Sequence, residues 1–214
     1  MLASFALGEA DNVTQYVEEI IKHAPFEDTL LAEQIMLRSL THSNRVEECL
    51  SRGLEILRRL GVNIPLVPTG ESIMNSVVSA SIMASQYNVE QILCLCDTSV
   101  DESVHSISKT MDAIMGALQF TSSPFLPLVT CEVVKSSLQY GVCEEASTAF
   151  ASYAMLKVAL EGDYSAGRYW ADIVREIIKK YKAINKQTKK RDFPHFSARL
   201  CFVSDVKCYE KNIS

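Results

Sequence analysis

The sequence predicts an all-α fold, an α-solenoid of antiparallel helix pairs with about nine helices. Three observations point there. Apolar residues recur at steps of three and four in segment after segment, and no convincing period-two run appears. Six Pro and eight Gly in 214 residues are few for a turn-rich β protein. Short Gly- or Asn-containing turns separate the periodic segments, as antiparallel hairpins require.

Asn12 to His23 is the first predicted helix, with the stripe Val13, Tyr16, Val17, Ile20 and Ile21, and Pro25 ends it. Glu27 to His42 follows, with Leu30, Leu31, Ile35, Met36 and Leu40. The turn THSN leads into Val46 to Leu60, whose apolar face is Val46, Cys49, Leu50, Gly53, Leu54, Ile56, Leu57 and Leu60. On its polar face Glu48–Arg52 and Glu55–Arg59 are predicted i,i+4 pairs. Gly53 costs about 1 kcal/mol relative to Ala inside a helix, which implies close approach of a neighbouring helix. Gly61 suits a helix C-terminus, and Pro65 and Pro68 mark the loop Val62 to Gly70.

Glu71 to Ser85 carries Ile73, Val77, Ala80 and Ala84 on one face. Val89 to Cys96 is a short helix leading into an acidic turn, CDTSVDES. Ser103 to Phe120 keeps the helical period with Val104, Ile107, Met111, Ile114, Met115 and Leu118. Ser123-Pro124 marks a helix start, and Val129 to Tyr140 runs to Gly141. A helix rich in Ala opens at Ala146. After Gly162, Asp163 is a suitable N-cap for the next, whose stripe is Trp170, Ile173, Val174, Ile177, Ile178 and Tyr181. Phe196 to Val206 is a last apolar run. The whole, 1–214, reads as a single repeat region, with loop breaks at 62–70 and 97–102 and a basic linker at 179–191. It is expected to be a piece of a larger protein, because the opening MLASFALGEADN resembles the end of a helix rather than a signal peptide.

Seven cysteines, at 49, 94, 96, 131, 143, 201 and 208, lie mostly among apolar residues. An odd number so placed implies reduced thiols and a cytoplasmic setting. Cys94-Leu95-Cys96 lacks zinc-knuckle spacing, so no metal or other cofactor is expected. No apolar run is long enough to span a membrane. Charge is uneven: residues 1–174 carry 22 acidic and 10 basic side chains, residues 175–214 carry 4 and 11.

The turn Gly162-Asp163-Tyr164, followed by the small residues Ala166 and Gly167, resembles the interhelix turn of tetratricopeptide repeats, which with the irregular spacing implies degenerate repeats of that type. Three segments in order, GLEILRRLGVNIP (53–65), SPFLPLVTCEVVKSSLQYG (123–141) and ASTAFASYAMLKVALEGDYSAGRYWADIV (146–174), resemble more. They are similar to the helical region that follows the AAA-type ATPase module in large hybrid serine/threonine–histidine kinase signalling proteins. That resemblance implies a regulatory scaffold without catalytic residues of its own.

The residues agree. G-x-x-x-x-G-K-[ST], G-x-G-x-x-G, H-R-D, D-F-G and G-x-S-x-G are all absent. The four His are scattered, and the sequential acid pairs Glu18-Glu19, Glu47-Glu48 and Glu144-Glu145 read as solvated faces. Cys143, near a helix start, reads as a small packed residue. No catalytic residue is nominated. The candidate partner contacts are Arg168 and Tyr169, which leave the Trp170 stripe, and Lys186, Lys189, Lys190 and Arg191 of the basic run. The expected partners are a protein or peptide, or adjacent domains of a longer chain. A free-standing peptide-binding adaptor is the alternative, and nucleic-acid binding through 179–191 is the weaker one.

Overall fold

The computed structural model describes residues 10–96 and 100–187. Among them lie nine helices and no strand: α1 (Ala10–His23), α2 (Phe26–His42), α3 (Val46–Arg59), α4 (Gly70–Ala84), α5 (Val89–Leu95), α6 (Glu102–Phe120), α7 (Phe125–Tyr140), α8 (Ala146–Glu161) and α9 (Tyr164–Gln187). None is long and apolar enough to cross a membrane. The predicted run Phe196 to Val206 lies outside the described residues.

Local chemistry explains the boundaries. Thr69 and Ser72 form a reciprocal capping box at α4, and Asn88 and Gln91 form another at α5. Asp101 caps α6 by accepting from the Ser103 amide at 2.8 Å. Asp163 accepts from the Ala166 amide at 2.9 Å, and Gly162, at φ +67°, makes the left-handed turn that ends α8. α7 starts at Phe125, four residues before the Val129 expected, because Pro124 and Pro127 both fit a helix's first turn. α9 runs on through Gln187, so 179–187 of the basic stretch is helical.

The helices do not pack in simple chain order. α1 packs on α2 and α2 on α3; α6 then packs on both α2 and α3. α8 packs on both α6 and α7, and α9 packs on α8. α4, which follows α3 in sequence, crosses instead to α7, and α5 touches α7 and α9. The linker from α3 to α4 is tied back by Arg58, which donates to the Ile64 and Pro65 carbonyls at 3.3 and 3.2 Å, while Val62 and Ile64 are buried.

Close approaches occur where small residues allow them. A Cβ at Gly53 would lie 2.3 Å from Ile114 Cγ2, which joins α3 to α6; one at Gly167 would lie 2.4 Å from Val158 Cγ2 and 3.2 Å from the Ala154 carbonyl, which joins α9 to α8. One continuous core runs through α1–α9. Trp170 is buried in it, stacked on Phe150 at 5.9 Å and edge-on to Tyr153 at 5.2 Å.

Some sequence expectations need correction. Tyr16 is 51% exposed and Leu31 66% exposed, so both leave the core they were assigned to. In α2 the buried face instead includes Glu33 and Gln34, which find polar partners on α3 and α6. Glu33 takes Arg52 at 2.6 Å, so the predicted Glu48–Arg52 pair gives way to a bridge between α2 and α3, and Glu48 turns to Arg45. Arg59 likewise lies over the Phe26 ring at 3.7 Å instead of pairing with Glu55. A half-buried partner across a helix interface outcompetes a solvent-screened neighbour on the same helix.

Candidate functional site

The chain from Tyr140 to Ala146 brings together more chemistry than any other described segment. Gly141, at φ +111°, turns the backbone out of α7. The Val142 amide then donates to the Leu95 carbonyl at 3.3 Å, and the Tyr181 hydroxyl of α9 donates to the Val142 carbonyl. Lys180 donates to the Leu93 carbonyl at 2.7 Å. α5 and α9 thus hold this connection on both sides.

Its three polar side chains point at different partners. Glu144 accepts from Asn185 Nδ2 at 3.1 Å. Glu145 pairs with His105 Nε2 of α6 at 3.2 Å. Neither glutamate is solvated as the sequential pair suggested; both are half-buried and held by other helices. Burial raises the Glu145 carboxyl, but the His105 hydrogen bond, a backbone amide and the charges of His105 and Lys109 outweigh it and hold the group at about 2. Cys143 is buried. Burial, and then the Glu145 charge, push its thiol up to about 11, so it is not an activated nucleophile. The Ser108 hydroxyl stands beside this thiol and partly offsets that rise, yet makes no hydrogen bond of ordinary geometry. His105 Nε2 or Nδ1, Cys143 Sγ and a Glu145 carboxylate oxygen all lie within 4.8 Å of one another.

A second polar cluster joins α4 to α8. Lys157 donates to Ser81 Oγ at 2.6 Å and to Glu161 at 2.8 Å, and Ser81 Oγ is 3.1 Å from the Tyr153 hydroxyl. Serine beside lysine can signal a nucleophile and its base, but a base needs a lowered pKa. Burial works in that direction here, but the Glu161 hydrogen bond and charge, with the Tyr153 hydroxyl beside it, reverse it, so Lys157 stays charged. The cluster pins α4 to α8.

The described residues among those nominated from sequence, Arg168, Tyr169 and Lys186, do not lie together. Arg168 and Tyr169 are exposed on α9, with Tyr169 edge-on to Trp170 at 5.6 Å. Lys186 is exposed in the last turn of the same helix. Eighteen residues of helix separate Arg168 from Lys186, about 27 Å at helical rise. Lys189, Lys190 and Arg191 lie outside the described residues. Within the basic run, Lys179 pairs with Glu176 at 2.6 Å and Lys180 is spent on Leu93, so these two do not present a free row of cations. Cys94 is exposed, Cys96 is buried and donates to the Ile92 carbonyl, and neither joins the other described cysteines in a disulfide.

No protein-family model, curated protein or solved structure matches the chain.

Sequence reasoning missed the grouping of His105, Cys143 and Glu145. The pair Cys143-x-Glu145 before a helix was visible, but His105 is 38 residues away from Cys143 and meets it only because α6 packs on α7 and α8. A separate surface was also missed. Met74, Val78 and Ile82, at i, i+4 and i+8 of α4, are exposed, and Val78 and Ile82 line a groove with Asn75, Ser79, Met83 and Gln86.

Proposed function

We propose that this chain is a non-catalytic helical-repeat scaffold, an α-solenoid of degenerate tetratricopeptide-like pairs that mediates contacts between proteins or between domains of a signalling ATPase/kinase-like polypeptide. One observation carries the reading. α6 rests on both members of the α2–α3 pair, and α8 rests on both members of the α6–α7 pair. Each first helix of a pair seated on both helices of the preceding pair is how repeats stack when none can bury its apolar face alone. On this reading α1 is the second helix of an earlier pair, and α4–α5 is an insertion lying against α7.

The chemistry of the side chains supports a scaffold. The buried thiols of Cys49, Cys131 and Cys143 are all pushed up rather than activated, and Lys157 is held charged. Function then resides in shape: a packed set of helices offering surfaces to partners, with small changes in stacking transmitting a signal.

Sequencing the transcript across both ends of this reading frame tests the inter-domain part. Continuation into ATPase and kinase-like modules is the expected result. A frame without them removes that part and leaves the free-standing adaptor. The apolar outer face of α4 favours this second reading, and there Ile82→Glu is expected to abolish capture of a partner peptide without unfolding the chain.

A further inference from the structure

We infer that His105, Cys143 and Glu145 form a binding site for a borderline-soft divalent transition metal, zinc or cobalt, at the junction of α6 with the connection from α7 to α8. The three donor atoms lie within 4.8 Å of one another. A tetrahedral ion with bonds of about 2.0–2.3 Å needs its ligands about 3.3–3.8 Å apart. The His105–Glu145 contact is already 3.2 Å, and the other separations exceed that range by no more than about 1.5 Å. Imidazole, thiolate and carboxylate together suit zinc or cobalt; magnesium and calcium favour all-oxygen shells.

Two further features favour an ion. Ser108 is buried, and its hydroxyl makes no hydrogen bond of ordinary geometry although it stands beside Cys143. It is placed to donate to a metal-bound thiolate, which the neutral thiol does not reward equally. The charges also balance. A neutral imidazole, one thiolate and one carboxylate cancel the two positive charges of the ion, so the loaded site is neutral and its burial inexpensive. The proton of the Cys143 thiol, and that of the imidazole wherever His105 is protonated, go to solvent, and the His105–Glu145 contact is exchanged for two metal bonds. Lys109, near enough to act on Glu145, opposes the ion. Three protein ligands leave the fourth tetrahedral position to water or an incoming donor.

The test is titration of the metal-free chain, kept reduced with a phosphine, with cobalt(II) alone. A one-to-one complex with a sulfur-to-cobalt charge-transfer band and the intense visible bands of tetrahedral cobalt, displaced by zinc, is expected. Cys143→Ser should remove the charge-transfer band. His105→Gln, at a ring that is 41% exposed, should weaken binding by at least about tenfold. Cys94→Ser should leave both unchanged. Absence of the band, its persistence in Cys143→Ser, or equal affinity in His105→Gln would overturn the proposal.

Discussion

Gly53 on α3 and Ile114 on α6 touch so closely that a single added methyl would sit 2.3 Å from Ile114 Cγ2 and 3.3 Å from Ile114 Cβ. Ile114 is fully buried and stiff at χ1, so it has little room to turn away. Gly53→Ala therefore gains about 1 kcal/mol of helix propensity and loses about 1–3 kcal/mol to overpacking. Net destabilisation is expected, read as a lower urea midpoint. With Ile114→Ala as background, the same change should become neutral or stabilising. Equal effects in both backgrounds would show that the contact does not limit the α3–α6 distance.

Asp112 ties three helices together. Its Oδ1 accepts from the Thr148 hydroxyl of α8 at 2.7 Å, and its Oδ2 lies 3.5 Å from Arg38 Nη2 of α2. The carboxylate is mostly buried. Asp112→Ala is expected to cost about 1–3 kcal/mol, because it strands a buried hydroxyl donor and a partly buried guanidinium. Thr148→Val should cost less, and the double variant should fall short of the sum. Additive costs in a denaturation cycle would refute the shared node.

Stability should fall in alkali. Burial pushes the Cys131 thiol up to about 12 from 9.0 and raises Cys49 as well; it also raises the phenols of Tyr153 and Tyr181 above 10.0. Above pH 9 for the thiols, and above pH 10 for the phenols, the unfolded chain gives up these protons while the folded chain keeps them. The stability they contribute is thus complete below pH 9 and is lost as pH rises toward the folded values. Cys131 alone contributes a slope of about 1.4 kcal/mol per pH unit in that window. Urea midpoints at pH 7 and pH 10 measure this, and Cys131→Ala should flatten the decline.

Alkylation should discriminate among the described cysteines. Cys94 is exposed, whereas Cys49, Cys96, Cys131 and Cys143 are buried. Brief iodoacetamide treatment of the native chain, mapped by mass spectrometry, is expected to label Cys94 at least about tenfold faster than the buried four, since thiolate access governs the rate. Comparable labelling of Cys131 would contradict its burial.

Much of the helical layout was legible because helices report themselves locally. The stripe on α6, Val104, Ile107, Met111, Ile114, Met115 and Leu118, is buried in full, as is the Trp170 stripe of α9 up to Ile178. Gly53 signalled a close helix contact, though not with which helix. Leu31 and Tyr16 were misassigned because an apolar side chain on a helix joins the core only if a neighbour covers it. Arg52 was misassigned because a buried Glu33, invisible in the sequence, competed for it.

The sequence alone determined the all-α class, most helix limits, the capping turn at Asp163, and the main apolar faces. These depend on hydrogen bonds and side-chain spacing within a few residues. Only the tertiary structure decided that α4 leaves α3 for α7, that Asp112 joins three helices, and that His105 meets Cys143 and Glu145. Those relationships join residues tens of positions apart, and they depend on which faces bury each other best, a choice that no local spacing encodes.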